Sequence, residues 1–237
     1  MPKLQLEPRK PTIISVGGSL IVPNGGPDVE FLRSFKRLVD REVKKGRRFV
    51  LVTGGGKTAR HYIDAADKVR GNHITADDLD WLGIHSCRLN AHLLRTILRE
   101  VAHPVVIKDP RKAPKKWKGK VLIGTGWKPG HSSDYVAARH AKRFGSRRII
   151  NLSNIDAVFD VDPRKSKKAK PLEAIGWTEY RKMVGDDWHP GKSAPFDPVA
   201  SRFCQRHGMQ VAMLGGTDFK NIAAAMAGRR FRGTLMG

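Results

Sequence analysis

Apolar and polar positions along this 237-residue chain alternate between two rhythms. Short continuous apolar runs at 11–16, 49–52, 105–107, 121–123, 149–152 and 210–214 predict strands buried on both faces. Between them, apolar residues recur at three- and four-residue spacing. Val29, Leu32, Phe35, Leu38, Val39 and Val43 predict a helix stopped by Gly46. The same spacing predicts helices at 59–66, 82–101, 134–144, 178–184 and 198–206, and one after Thr217-Asp218 that ends at 227. Residues 155–160 read as a hairpin segment, and 234–236 as a last apolar run. Strands alternating with helices predict an α/β fold, a three-layer α/β/α sandwich around a mostly parallel sheet. No internal repeat divides the chain, so residues 1–237 read as a single domain with an internal division near Arg147.

Three predicted strands end in glycine turns: Gly17-Gly18-Ser19, Gly54-Gly55-Gly56-Lys57, and Gly124-Thr125-Gly126. Such a turn, leading into a helix, leaves backbone N–H groups for an anion and lets a ligand approach the backbone closely. In a parallel sheet these turns share the C-terminal edge, where ligands bind. Three of them exceed the needs of one phosphate group and suit two phosphorylated ligands held end to end. Lys57 and Arg60 are available to pair charge. The triple glycine is not a P-loop, because Leu51 stands where that motif has its first glycine. A plain tight turn is the competing account, but three glycines cost folding entropy that a plain turn does not need.

The composition, 40% hydrophobic and 28% charged, suits a globular protein. No apolar run is long enough to span a bilayer, and the first ten residues lack an apolar signal core. Cys87 and Cys204 are isolated and have no metal-ligand spacing, so the expected compartment is the cytoplasm. The formal charge of +23 changes the picture more, with lysine-rich stretches at 108–120 and 164–170. These would attract nucleic acid without specificity; solvated loops are the plainer account, since Trp117 is the one aromatic there.

Four segments in fixed order carry a family likeness: Gly17-Gly18-Ser19; Gly54 through Arg60; Gly126 through Asp134; and Asn154 through Pro163. Together they resemble the amino acid kinase superfamily, and within it the archaeal type of the uridylate kinase branch. The likeness runs from about Thr12 to Leu235; Leu82-Gly83-Ile84, Arg88-Leu89-Asn90-Ala91 and Asp197-Pro198-Val199-Ala200 add to it. The resemblance implies transfer of the γ-phosphate of ATP, with Mg2+, to UMP, giving UDP and ADP for pyrimidine nucleotide and CTP synthesis. It implies a cytoplasmic homohexamer, with the acceptor held by about residues 11–146 and ATP by about 147–237. ATP would meet Gly18, Ser19, Gly56, Arg60, Ser153, Asn154, Phe159 and Asp162. UMP would meet Gly55, Asp80, Trp127, Lys128, Pro129, Gly130, His131, Ser132 and Ser133, with Asp80 on the ribose. Arg60, Asp134 and Lys57 are the implied catalytic groups; no residue is assigned as a metal ligand.

Each of these residues also has a plainer role: Arg60 as a surface arginine, Asp80 as a helix-terminal charge, Asp134 as an N-cap, Phe159 as core, His131 as loop packing. The chain also departs from the superfamily pattern. Ser15 stands where many members carry lysine, as in the archaeal branch, which leaves Lys57, Lys128, Lys192 and Arg202 as candidate transition-state cations. Trp127 replaces a small hydroxyl residue and Ala157 a glycine. The alternative within the superfamily is an isopentenyl phosphate kinase, although that branch tends to place a histidine after the triple glycine where this chain has Arg60. A non-catalytic nucleotide-binding relative or a basic nucleic-acid-binding protein completes the alternatives, the last with no recognisable motif.

Overall fold

The computed structural model describes residues 1–163, 165–187 and 194–237. Its strands are β1 (Thr12–Val16), β2 (Phe49–Thr53), β3 (Val121–Gly124), β4 (Arg148–Ser153), β5 (Ala174–Ile175), β6 (Gln210–Gly215) and β7 (Thr234–Met236). They form one sheet in the order β3-β2-β1-β4-β6-β7-β5. Neighbours pair in parallel except β6 and β7, which run antiparallel.

Successive side chains of a strand point to opposite faces, and the apolar residues sort accordingly. Ile14, Val16, Leu51, Ile123, Ile150 and Leu152 join a core covered by α2 (Val29–Lys44), α4 (Ala76–Ile97) and α8 (Phe219–Met226). Ile13, Val50, Val52, Leu122, Ile149 and Val211 join a second core under α5 (Ser133–Arg143), α6 (Trp177–Val184) and α7 (Pro198–Arg206). Burial on both faces explains why these strands read as unbroken apolar runs. The remaining helices, α1 (Gly18–Ile21) and α3 (Gly56–Arg70), start directly from the first two glycine turns.

Helix starts follow local chemistry. Asp28 caps α2 by accepting from Phe31 N–H, and Ser132 caps α5 by accepting from Tyr135 N–H. Thr75 and Asp78 form a reciprocal capping box, so α4 begins at Ala76 rather than at 82, and it ends at Ile97 rather than 101. The helix after the triple glycine spans Gly56–Arg70, beyond the expected 59–66.

Two expected strand segments are single bridges. In 105–107 only Ile107 pairs, with Gly124; Pro104 before it and Pro110 after it leave little chain able to donate to a ladder. The hairpin expected at 155–160 reduces to one bridge, Phe159 to Pro171, and Pro171 has no N–H to extend it.

Candidate active site

β3, β2 and β1 are adjacent and parallel, so the three glycine turns lie side by side at their C-terminal ends. The first two turns touch backbone to backbone. A Cβ at Gly18 would lie 2.1 Å from Gly56 N, and one at Gly56 would lie 2.4 Å from Gly18 O. Gly56 also has φ +68°, which L side chains rarely adopt. Asn90, buried on α4, donates to Gly54 O at 2.8 Å and Gly55 O at 3.2 Å, which holds the turn from behind. Leu20 N–H goes to Gly17 O and Lys57 N–H to Val22 O, while among the described residues the N–H groups of Gly18, Ser19, Gly55 and Gly56 stay available toward an anion. Arg60, one turn into α3 and exposed, donates from Nη2 to Ser19 Oγ at 3.3 Å. Lys57 gives its backbone N–H to Val22 O, and among the described residues its side chain makes no hydrogen bond or ion pair.

Behind this edge sits a buried polar cluster. Ser15 on β1 and Asn151 on β4 are register partners, so their side chains stand together on the α5 face. Both donate to Asp134 Oδ1, each at 2.9 Å. Asp134 Oδ2 accepts from Asp197 N–H at 3.2 Å. Burial pushes the Asp134 carboxyl above the usual carboxylate range, although these three bonds favour its charged form. Asp197 caps α7 through Oδ1, while its buried Oδ2 makes no hydrogen bond of standard geometry among the described residues. Burial first, and the neighbouring Asp134 charge next, push Asp197 up to about 7. Two carboxyls, Asp197 buried and Asp134 half-buried, thus stand side by side with no lysine or arginine bonded to either among the described residues.

The third glycine turn leads into the 127–133 loop. Asp80 on α4 accepts from Gly130 N–H at 2.6 Å, which joins two segments 50 residues apart. Arg88 donates to Gly126 O and Trp127 O, at 3.4 and 3.3 Å. Trp127 packs on His131 at 4.9 Å between ring centroids, and His131 Nδ1 lies 2.9 Å from Pro129 O. Burial lowers the His131 pKa. Lys128 is exposed and leans on the Trp127 ring. A Cβ at Gly54 would lie 3.5 Å from Ser133 Oγ, which places that hydroxyl across the edge from the turn.

On the other flank, Ser153 ends β4, and its carbonyl accepts from Gly216 N–H at 2.8 Å. Asn154 follows, exposed, with Ser153 Oγ at 3.5 Å. Phe159 is half-buried at its bridge, and Asp162 O accepts from Lys165 and Ser166 N–H groups in a turn farther along the loop. Gly18, Ser19, Gly55, Gly56, Arg60, Asp134 and Ser153 thus share one edge, with Asp80 and the 127–133 loop on one side. Phe159 and Asp162 stand at the far end of their loop. Lys192 lies outside the described residues, and Arg202 is exposed on α7.

Ser15, Asn90, Asn151 and Asp197 were not singled out as site residues from sequence. Ser15 and Asn151 each stand inside an apolar strand run, a local signal that an inward polar side chain has a partner.

A model of the amino acid kinase family matches residues 10–214. A uridylate kinase of Pyrococcus abyssi is 35% identical over 222 residues, which covers 92% of this chain and 95% of that protein. One from Methanospirillum hungatei is 34% identical over 229 residues, covering 95% and 94%. Among solved structures, the uridylate kinase of Archaeoglobus fulgidus matches with a TM-score of 0.79 at 27% identity, covering 95% of this chain and 100% of that one. The UMP kinase of Bacillus anthracis shares the fold, with a TM-score of 0.77 at 18% identity.

Proposed function

The chain belongs to the amino acid kinase family, in the branch of its archaeal uridylate kinase relatives, and from that premise we propose that it transfers the γ-phosphate of ATP to UMP, giving UDP and ADP. The observation that carries this reading is the paired glycine turns, Gly18 against Gly56, with Arg60 bonded across them to Ser19. Phosphoryl transfer needs two anionic ligands aligned and their charge offset, and little covalent chemistry from the protein. Backbone donors at Gly18 and Ser19 suit the ATP phosphates, and those at Gly55 and Gly56 suit the acceptor phosphate. Arg60 reaches both turns and can offer a bidentate fork. Lys57 is a second cation of this edge.

On the acceptor side, the Asp80 carboxylate can take ribose hydroxyls, with the Gly130 amide fixing its position. Trp127, Lys128, Pro129, His131, Ser132 and Ser133 then enclose the base. On the donor side, Ser153, Asn154, Phe159 and Asp162 hold the adenine nucleotide, so the acceptor and ATP halves meet near Arg147. ATP is used as its magnesium complex. Asp134 and Asp197 would offer carboxylate oxygens to that cation, which would offset charge on the transferring group.

Helix α3 has no buried residue, and it packs beside α4. Tyr62, Val69, Trp81 and Leu89 of this pair are 62%, 84%, 42% and 63% exposed. These exposed apolar side chains support assembly with further copies, which we assign as a homohexamer of the cytoplasm serving pyrimidine nucleotide synthesis.

The test is phosphoryl transfer from MgATP to UMP, CMP, dTMP and isopentenyl phosphate in parallel. UMP should turn over with the highest kcat/KM. Turnover of isopentenyl phosphate without UMP would move the chain to the alternative branch.

A further inference from the structure

Nearly half of the formal charge of +23 falls in one stretch, 108–148, which includes the third glycine turn. Residues 108–148 hold 13 lysines and arginines against 2 aspartates. Of those two, Asp134 is enclosed in its own cluster and Asp109 is paired with Arg111 at 2.8 Å. Among the described residues that is the one salt bridge of the stretch, so most of its cations are not neutralised. Lys108, Lys112, Lys115, Lys116, Lys118, Lys120, Lys128 and Lys142 are all exposed.

The stretch is also built into one face. Arg143 Nε donates to Ala113 O at 2.9 Å, and Ala113 is fully buried, which ties the lysine-rich loop to α5. Trp117 of that loop packs edge-on against Phe144 at 5.1 Å, with the Arg48 guanidinium over its ring at 3.7 Å.

Beside the loop runs a file of rings from α5, α7 and the 127–133 loop. Successive centroids are 4.9 Å apart from Trp127 to His131, 4.6 Å to Tyr135, 5.2 Å to Phe203 and 4.2 Å to His207. Arg111, Lys128 and Arg139 stand over Trp127 at 4.9, 5.1 and 5.6 Å. Arg139 and Lys142 stand over Phe203 at 5.5 and 5.7 Å. An aromatic face orients a cation without cancelling its charge, as a carboxylate would. The result is a line of oriented, unneutralised cations along a file of rings of which Phe203 is buried and Trp127, His131, Tyr135 and His207 are half-buried.

We propose that this face binds single-stranded nucleic acid. Its phosphates pair with the cations of the 108–120 loop and α5, and its unstacked bases lie against Trp127, His131 and His207. In sequence, Trp117 is the only aromatic within the lysine-rich loop; the fold supplies the others from segments up to His207. A duplex is the weaker fit, because paired bases offer no free faces to the ring file.

The experiment titrates the intact protein, without ATP or UMP, into a fluorescein-labelled oligouridylate at low and high salt and reads anisotropy. One variant combines Lys115→Gln, Lys116→Gln and Lys118→Gln. A second combines Arg37→Gln, Lys44→Gln and Arg229→Gln, exposed cations of the α2 and α8 side of the sheet. Both lose the same charge, and thermal melts check that both stay folded. The first should bind at least about tenfold more weakly, with a salt slope shallower by about 2, and the second should bind within about twofold of wild type. His207→Ala should also weaken the single strand. Equal losses in both triple variants would reduce the effect to net charge and overturn the proposal. So would a duplex of the same length bound as tightly as the single strand.

Discussion

Arg60 bonds Ser19 across the two glycine turns while remaining exposed, so its role and its cost to folding can be separated. Arg60→Ala should lower kcat/KM for UMP by at least ~1.5–3 kcal/mol, the range for a hydrogen bond to a charged group. Arg60→Lys keeps charge without the fork and should retain part of that activity. Steady-state kinetics beside a thermal melt decides: equal losses in both would make Arg60 structural. His140 is the opposite case. It is fully buried on α5, neither ring nitrogen has a hydrogen-bond partner among the described residues, and burial pushes its pKa down to about 3 while Asp109 pulls the other way. Its folded value lies below the ordinary 6.5, so the unfolded chain takes the proton first. Its neutral form therefore leaves stability intact above pH 6.5, and stability falls as pH drops from there toward 3. His140→Leu should flatten that acid dependence in urea titrations between pH 7 and 5; an unchanged slope would clear His140 of the effect. At this scale the glycine turns were legible, because a turn is a local event. The partners of Asp134 were not, because Ser15, Asn151 and Asp197 reach it from 119, 17 and 63 positions away.

Elements were legible where a period or a run was long, and boundaries failed where a cap or a proline decided them. The Thr75–Asp78 box adds six residues to the start of α4, and it carries Asp80 into the helix. Short β5 was not predicted, since two residues, Ala174 and Ile175, give no period to read. The junction of α1, α3 and α4 carries its own test. Asn90→Ala leaves Gly54 O without its side-chain partner and should cost about 1–3 kcal/mol, seen in denaturant unfolding. Because the same turn is the one proposed to face the acceptor phosphate, kcat/KM should fall by more than the melt predicts. Gly18→Ala forces a Cβ into Gly56 N and should cost roughly 1–3 kcal/mol for overpacking, with loss of activity. If Gly18→Ala keeps both wild-type stability and activity, the two backbones are not in contact.

For the whole molecule, strand–helix alternation announced the parallel sheet, and the sheet order brought the glycine turns together. The apolar surface of α3 and α4 could not be read from sequence, because Tyr62, Val69, Trp81 and Leu89 look like ordinary helix residues until their exposure is known. If further copies cover it, Val69→Glu with Leu89→Glu should lower the mass measured by light scattering to that of a smaller species. An unchanged mass would place the contact elsewhere.

The central position of β1 has a consequence during synthesis. One neighbour, β2, arrives within about 40 residues, but the other, β4, begins at Arg148. At ~5–20 residues per second, the ribosome leaves one edge of β1 unpaired for on the order of ten seconds. Throughout that interval Ile13 and Ile14 lack their sheet partners Ile149 and Ile150. A nascent chain stalled before Arg148 should therefore be protease-sensitive and prone to aggregate, while one stalled well beyond Gly215, with β6 also emerged, should resist cleavage at 11–16. The strand that carries Ser15 to the candidate site is thus made long before the neighbour that completes it.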